Sequence, residues 1–190
     1  IYEVSIWNDA FDDREAGGSP YLPMPLGKAL KNDFPDVENY VRFRDGWEEN
    51  FVRISDNDVR RVKISYGDPQ FFSFFSFPMK YGNAATALQD LHSIVLTQSK
   101  AREFFGNANA LGRTIQIKID NSFQPFTVSA VTEDIPSNST ISFEVLASFI
   151  YLETQTDEKR GADNWHRSGY FTYVQLHPGS SLPYETGKLT

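Results

Sequence analysis

His92, His166 and His177 are the residues best suited to moving a proton near neutral pH or ligating a transition metal, and they stand far apart in the chain. None has a second histidine or a carboxylate at metal-ligand spacing, so the sequence predicts no metal centre. Cysteine is absent, which removes disulfides, thiolate catalysis and cysteine metal sites together. No nucleophile elbow, P-loop, dinucleotide glycine fingerprint or zinc-protease helix is present. Gly17-Gly18-Ser19 has the composition of a phosphate loop, but Asp12, Asp13 and Glu15 beside it oppose an anion, and a surface loop is the better reading. The adjacent carboxylates Asp12-Asp13 and Glu48-Glu49 are of the type that cleaves glycosides, yet neighbours in a turn are ordinarily just solvated. Trp47 beside Glu48 and Glu49, and Trp165 beside His166 and Arg167, offer an aromatic face fringed by polar groups, as a sugar platform does; partly buried loop anchors are the plainer reading. Asn138-Ser139-Thr140 matches a glycosylation sequon, a pattern frequent by chance.

The chain has 190 residues, 40% hydrophobic and 23% charged, which suits one sizeable domain or two small lobes with a real core. Lys and Arg number 18 against 25 Asp and Glu, for a net charge of -7. Affinity for a phosphate backbone rests on clustered positive charge, so no nucleic-acid partner is expected. The densest basic run, Arg60-Arg61-Val62-Lys63, reads as a solvated strand face, with a partner-binding patch as the alternative. No run reaches the roughly 20 apolar residues that span a bilayer. The chain opens on IYEVSIW, which reads as the inside of a strand, so a longer protein is expected around it.

Alternating patterns predict strands over YEVSIW (2–7), VENYVRFR (37–44), FVRISD (51–56) and RRVKISY (60–66). PMPLGKALKNDFP predicts a helix with Leu26, Ala29, Leu30 and Phe34 inward. Five phenylalanines fall between Gln70 and Pro78, and the spacing predicts a buried helix begun by Asp68 and Pro69, with Pro69, Ser73, Ser76 and Lys80 as its polar stripe. HSIVLT is a strand leading into the helix QSKAREFFG, whose inner face is Ala101, Phe104 and Phe105 and whose left-handed cap is Gly106. RTIQIKI and FTVSAVTEDI form a hairpin, with Pro125 at its edge. FEVLASF and YFTYVQL are further strands separated by a polar stretch, and HPGSSLPYETGKLT begins a helix. Interleaved strands and short helices make the class α+β.

Six pieces in order resemble one family: Asp68-Pro69-Gln70-Phe71-Phe72, Tyr81-Gly82-Asn83, Val95-Leu96-Thr97, Phe105-Gly106, Leu111-Gly112-Arg113, and the V-x-x-V-x-x-D-I-P run from Val128 to Pro136. Together they are similar to the MacB-like periplasmic core domain of bacterial ABC transporter permeases of the FtsX-like class, over most of residues 20–180. The resemblance implies a mixed two-lobed domain: a porter-like α/β lobe from 1–65 plus about 168–190, incomplete at its C-terminus, and a smaller α/β lobe inserted at 66–167. It implies an inner-membrane protein whose segment lies in the periplasm, tethered through membrane helices outside these residues. It implies no catalysis and no cofactor here, ATP being used by a separate cytoplasmic ATPase; the partners are that ATPase, a second permease copy, and a periplasmic adaptor or lipoprotein.

The function expected is therefore coupling of cytoplasmic ATP hydrolysis to movement outside the membrane, with contacts to substrate or partner proteins. Phe71, Phe72, Phe75, Trp47 and Trp165 are the candidate contacts. The alternative is a free periplasmic module that binds a carbohydrate or peptide through Trp47 or Trp165; a hydrolase with dispersed carboxylates stands third.

Overall fold

The computed structural model describes residues 1–5, 18–119, 121–155 and 164–180. In chain order its elements are β1 (Tyr2–Glu3), β2 (Leu22–Pro23), α1 (Leu26–Asp33), β3 (Val37–Arg44), β4 (Glu49–Ser55), β5 (Asp58–Lys63), β6 (Ser65–Gly67), α2 (Phe71–Phe74), β7 (Met79–Gly82), β8 (Ser93–Thr97), α3 (Gln98–Phe105), β9 (Thr114–Ile119), β10 (Ser122–Thr132), β11 (Val145–Ser148), α4 (Phe149–Thr154) and β12 (Ser168–Leu176). The class is α+β, as the interleaved patterns predict. The expectations for Ile6, Trp7, the loop with Asp12, Asp13, Glu15 and Gly17, and the helix from residue 181 on lie outside the described residues.

Contacts divide the chain into two units, Ile1–Arg42 with Lys159–Thr190, and Phe43–Glu158. In the first, β12 is flanked by β1 and β3, and β2 also pairs with it. Tyr2 stands opposite Val174, and the Val4 N–H donates to the Thr172 carbonyl at 2.9 Å. α1 turns Leu30 inward onto Val37 and Val174, with Leu26 and Phe34 packed beside them. This is the helical face that the sequence pattern marks.

In the second unit the strand order is β6-β11-β8-β10-β9-β4-β5, with β7 also on β10. β6 with β11 and β8 with β10 are parallel pairs; the other neighbours run antiparallel. The β9–β10 hairpin forms as predicted, with Pro125 opposite Gln116. Pairing with β8 begins only at Thr127, so the proline sits where β10 has one neighbour and its missing N–H costs least. Ile94, Leu96, Ile115, Ile117, Phe126 and Val128 share one core, against which α3 sets Ala101 and Phe104.

β3 and β4, adjacent in sequence, are not partners: the end of β3 pairs with β6, whereas β4 lies between β5 and β9. Two local expectations are corrected. The run RRVKISY is two strands, because at Ile64 the chain leaves the β4 edge and enters the slot between β3 and β11 as β6. The phenylalanine helix is one turn long. Phe75 is already extended, at φ -110 and ψ 130, and Lys80 belongs to β7, so the predicted polar stripe does not exist. Pro78 biases Phe77 away from helix, and a single turn closes too few hydrogen bonds to extend itself. The turn starts from Gln70, and Asp68 contributes its carbonyl to the Phe71 N–H at 2.9 Å. FEVLASF forms its strand as β11, and α4, which the sequence reading did not name, begins at Phe149, with Phe149, Tyr151 and Leu152 buried.

The expected lobe boundary near residue 65 and the contact boundary at Arg42 differ by the β4–β5 hairpin, whose pairing with β9 carries it into the second unit. One buried polar atom here is a candidate for improvement. Thr132 is fully buried in β10 and its hydroxyl has no hydrogen-bond partner among the described residues. Thr132→Val keeps the shape and removes the unsatisfied group, so stability should rise by about 1 kcal/mol in chemical denaturation. A loss of that size would mean the hydroxyl is satisfied in solution.

Candidate functional site

The six motif pieces are the natural place to look for chemistry, and the structure gives each a positional task. Thr97 ends β8 and caps α3, its hydroxyl accepting from the Lys100 N–H at 3.3 Å. Asp134, from the D-I-P run, reaches the same helix start: its carboxylate accepts from the Ser99 N–H at 2.8 Å and from the Ser99 hydroxyl at 2.6 Å. Those bonds hold its carboxyl below the ordinary range. The V-L-T and D-I-P pieces are thus two halves of one double cap. Gly106 closes the helix with the expected positive φ of 63, but its ψ of -132 is not that of the left-handed region. Gly112 donates to the Val128 carbonyl at 2.8 Å, and Arg113 accepts from Val128 in return at 2.8 Å, locking the L-G-R turn to β10.

Phe71 and Phe72 of the D-P-x-F-F piece lie in an aromatic core. Phe71 is fully buried, and its ring centroid lies 5.1 Å from those of Phe72 and Phe75, 5.7 Å from Phe77, 5.8 Å from Phe43 and 6.0 Å from Phe143. Most of these pairs are edge-to-face, the arrangement aromatic quadrupoles favour. Of the three phenylalanines named as contacts, burial therefore takes Phe71 and Phe72 from the surface; Phe75 is half-buried. Trp47 and Trp165 are 59% and 51% exposed, one in each unit.

Charge is organised around α3. Lys100 is almost buried, yet its ammonium donates to Glu103 at 2.7 Å and bonds Glu144 at 3.0 Å. Arg60 grips Asp58 with bonds of 2.8 and 2.7 Å and donates to the Glu103 carbonyl at 2.9 Å. Both cations lie over the Phe104 ring, at 5.7 and 5.8 Å, and roof the core edge. Burial alone pushes the Lys100 pKa down, but the two carboxylates outweigh it and the net shift is upward. A lysine held protonated is no nucleophile or Schiff-base former. The Lys100 hydrogen bond, helped by Arg60, lowers the Glu103 pKa despite some desolvation.

A group whose folded pKa is depressed contributes stability above its unfolded pKa and loses it as pH falls through the folded value. The advantage of the native chain over Glu103→Gln should therefore be full above pH 4.5 and vanish on further acidification. Glu103 is 46% exposed, so solvent screening keeps the effect within about 1 kcal/mol. Melting temperatures of both chains across pH 3 to 7 check this; a pH-independent difference would remove the ion pair as its cause.

A cleft of about 300 Å³ runs between β7 and the loop after α3, lined by Lys80, Tyr81, Gln98, Arg102, Asn107 and Asn109. Lys80 donates to Gln98 at 2.7 Å. Cations and amides line it beside Ala101 and Val131, a lining that suits a polar group. Among the described residues no three His, Asp or Glu side chains gather to hold a metal ion. His92 packs against Phe126 and Tyr151, each at 5.3 Å, as a core ring does. The exposed His166 donates its backbone N–H to the Asn164 side-chain oxygen at 2.9 Å. Among the described residues no helix is long and apolar enough to cross a membrane.

No sequence among curated proteins matches the chain. Solved structures do. A domain assigned to a permease protein of Porphyromonas gingivalis superposes with a TM-score of 0.73 at 24% identity, over 90% of this chain and 75% of that one. The periplasmic region of MacB from Actinobacillus actinomycetemcomitans gives 0.63 at 17% identity, over 93% and 75%. The extracellular domain of the ABC-type transporter YknZ from Gram-positive bacteria gives 0.62 at 14%, over 97% and 86%. At these identities the likeness is one of fold. The profile for the MacB-like periplasmic core domain matches residues 1–184, nearly the whole chain. The chain therefore belongs to the MacB-like periplasmic core domain family, the periplasmic domain of ABC transporter permeases.

Proposed function

We propose that this domain is a non-catalytic transmitter: it couples ATP hydrolysis by a cytoplasmic ATPase to movement outside the membrane, and it contacts substrate or a partner protein there. The observation that carries this reading is the pairing of β1 with β12, which draws the two ends of the described fold into adjacent antiparallel strands of one unit. Movement delivered at either end then enters the same small sheet, with Phe43–Glu158 inserted between those ends in sequence. In this reading the chain is tethered by membrane helices on both sides, works beside a second permease copy, and lies outside the cytoplasm.

The test uses the full-length protein in its membrane with its ATPase. These 190 residues hold no cysteine, so Ser168→Cys, an exposed position, provides one spin-label site in the domain once any cysteine elsewhere in the full-length protein is replaced by serine. The distance between the labels of two copies should change by several Å on trapping the nucleotide with vanadate, with protease reaching the domain in intact spheroplasts. A distance that stays fixed throughout the ATPase cycle would overturn the coupling, and protection until lysis would overturn the location.

A further inference from the structure

One face of the second unit's sheet is left open. The loop at 84–91 covers the neighbouring part, where Ala87 and Leu88 accept bonds from Ser129 and Ser148. Over β5, β4, β9 and the start of β10, alternate residues lie on this face, exposed or half-buried: Val59, Arg61 and Lys63, Glu49, Phe51 and Arg53, Gln116 and Lys118, Phe123 and Pro125. Register sets four of them in a row. Arg61 is opposite Phe51, the pairing of Val52 with Ile117 brings Phe51 beside Lys118, and Lys118 is opposite Phe123. The row thus alternates cation, ring, cation, ring across four strands.

Distances bear out the ladder. The Arg61 guanidinium is 5.4 Å and the Lys118 ammonium 5.6 Å from the Phe51 centroid, and Arg53 lies over Phe123 at 3.8 Å while donating to Gln116 at 3.2 Å. Phe51 remains 41% exposed. Glu49 is the face's carboxylate among the described residues, 4.0 Å from Arg61, against the four cations Arg53, Arg61, Lys63 and Lys118. On a chain of net charge -7 this is a local inversion of sign.

β5 is also the end strand, so its outer main-chain groups face no neighbour among the described strands. Charged side chains along an edge ward off neutral or basic strands. An acidic strand is the one they admit. Side chains of an added strand alternate between faces, so carboxylates at every second position would fall in line with Arg61 and Lys63. Each ring on this face has a cation within 5.6 Å of its centroid and the row offers no contiguous apolar patch to insert, which favours a polypeptide over a lipid surface. We propose that the β5 edge and this cation–ring ladder bind an extended, acidic segment of a partner protein as an added strand. The proposal rests only on the partner-contact half of the function above.

The experiment titrates the 190-residue chain with a peptide of about ten residues alternating Glu and Thr, beside the same peptide with Lys for Glu. The Glu peptide should bind, slow amide exchange at Val59, Arg61 and Lys63, and lose about fivefold or more in affinity between roughly 50 and 300 mM salt. The double variant Arg61→Glu, Lys118→Glu, checked for an unchanged fold by circular dichroism, should weaken it at least about tenfold and admit the Lys peptide. Absence of binding, or binding without β5 protection, overturns the proposal. So does capture of phosphatidylglycerol vesicles in preference to the peptide, or a Glu peptide indifferent to charge reversal. The nucleotide-driven distance change above is independent of these outcomes, so failure of the ladder and failure of the coupling are told apart.

Discussion

Phe71→Ala should lower the stability of the chain by about 3 to 5 kcal/mol, the range found when a fully buried phenylalanine is truncated. The ring is completely buried and meets five others, those of Phe43, Phe72, Phe75, Phe77 and Phe143. Three lie in the short stretch that follows it and two come from β3 and the approach to β11. The cavity would open at their common centre, where relaxation of one wall pulls a ring from another. Gly67 adds a rigid side: a Cβ built there would stand 3.0 Å from the Phe71 ring, so the β6 backbone already presses on it. Guanidinium unfolding of both chains gives the number. A loss under about 1 kcal/mol would show that the cluster is a loose aromatic surface and would return Phe71 to the list of contact residues.

Gly82→Ala should cost about 2 to 5 kcal/mol, from positive-φ strain and overpacking together. Gly82 holds φ at 89, a conformation that L residues resist. A Cβ there would also fall 2.7 Å from the Ser129 carbonyl oxygen and from the Ala130 Cβ. Both obstacles belong to β10, whose backbone is pinned on its other side by β8, so neither can withdraw cheaply. The predicted signature is local: β7 amides should lose exchange protection well before those of β8. Gly106 is the internal control, having positive φ but open space where its Cβ would stand, so Gly106→Ala should cost the strain alone. Equal losses at the two glycines would show that the close approach of β7 to β10 is not tight in solution.

Much of this architecture is legible in the residues because the deciding interactions are local. Thr97 with the apolar face of Ala101 and Phe104 announces α3, and the isoleucines of β9 with the return of β10 announce the hairpin. Where the reading falls short, the causes are separate. Phe149-Ile150-Tyr151-Leu152 has no polar interruption, so its pattern does not mark a helix, and only packing against β11 and β6 decides for α4. The five phenylalanines of 71–77 satisfy a helical wheel, but Pro78 acts backward on the chain before them. At the candidate site the gap is wider. Arg61, Phe51, Lys118 and Phe123 are scattered along the sequence, and the basic run that contains Arg61 even misleads, since Arg60 turns inward to Asp58 and Glu103 while Arg61 and Lys63 turn out. A ladder is a property of register, and register between β4 and β9 is not written in either strand alone.

The β1–β12 pairing also fixes an order of events during synthesis. Of the described residues, Tyr2 is among the first to be made and its partner Val174 among the last. At the roughly 5 to 20 residues per second of translation, β1 waits on the order of ten seconds or more for the strand that will pair with it. Every strand of the Phe43–Glu158 unit emerges inside that interval. The inserted unit is therefore in a position to fold first, and in doing so it shortens the loop that the outer unit must close. A lesion at Phe71 would then be felt twice, once as lost packing and once as a first unit left searching for its own last strand.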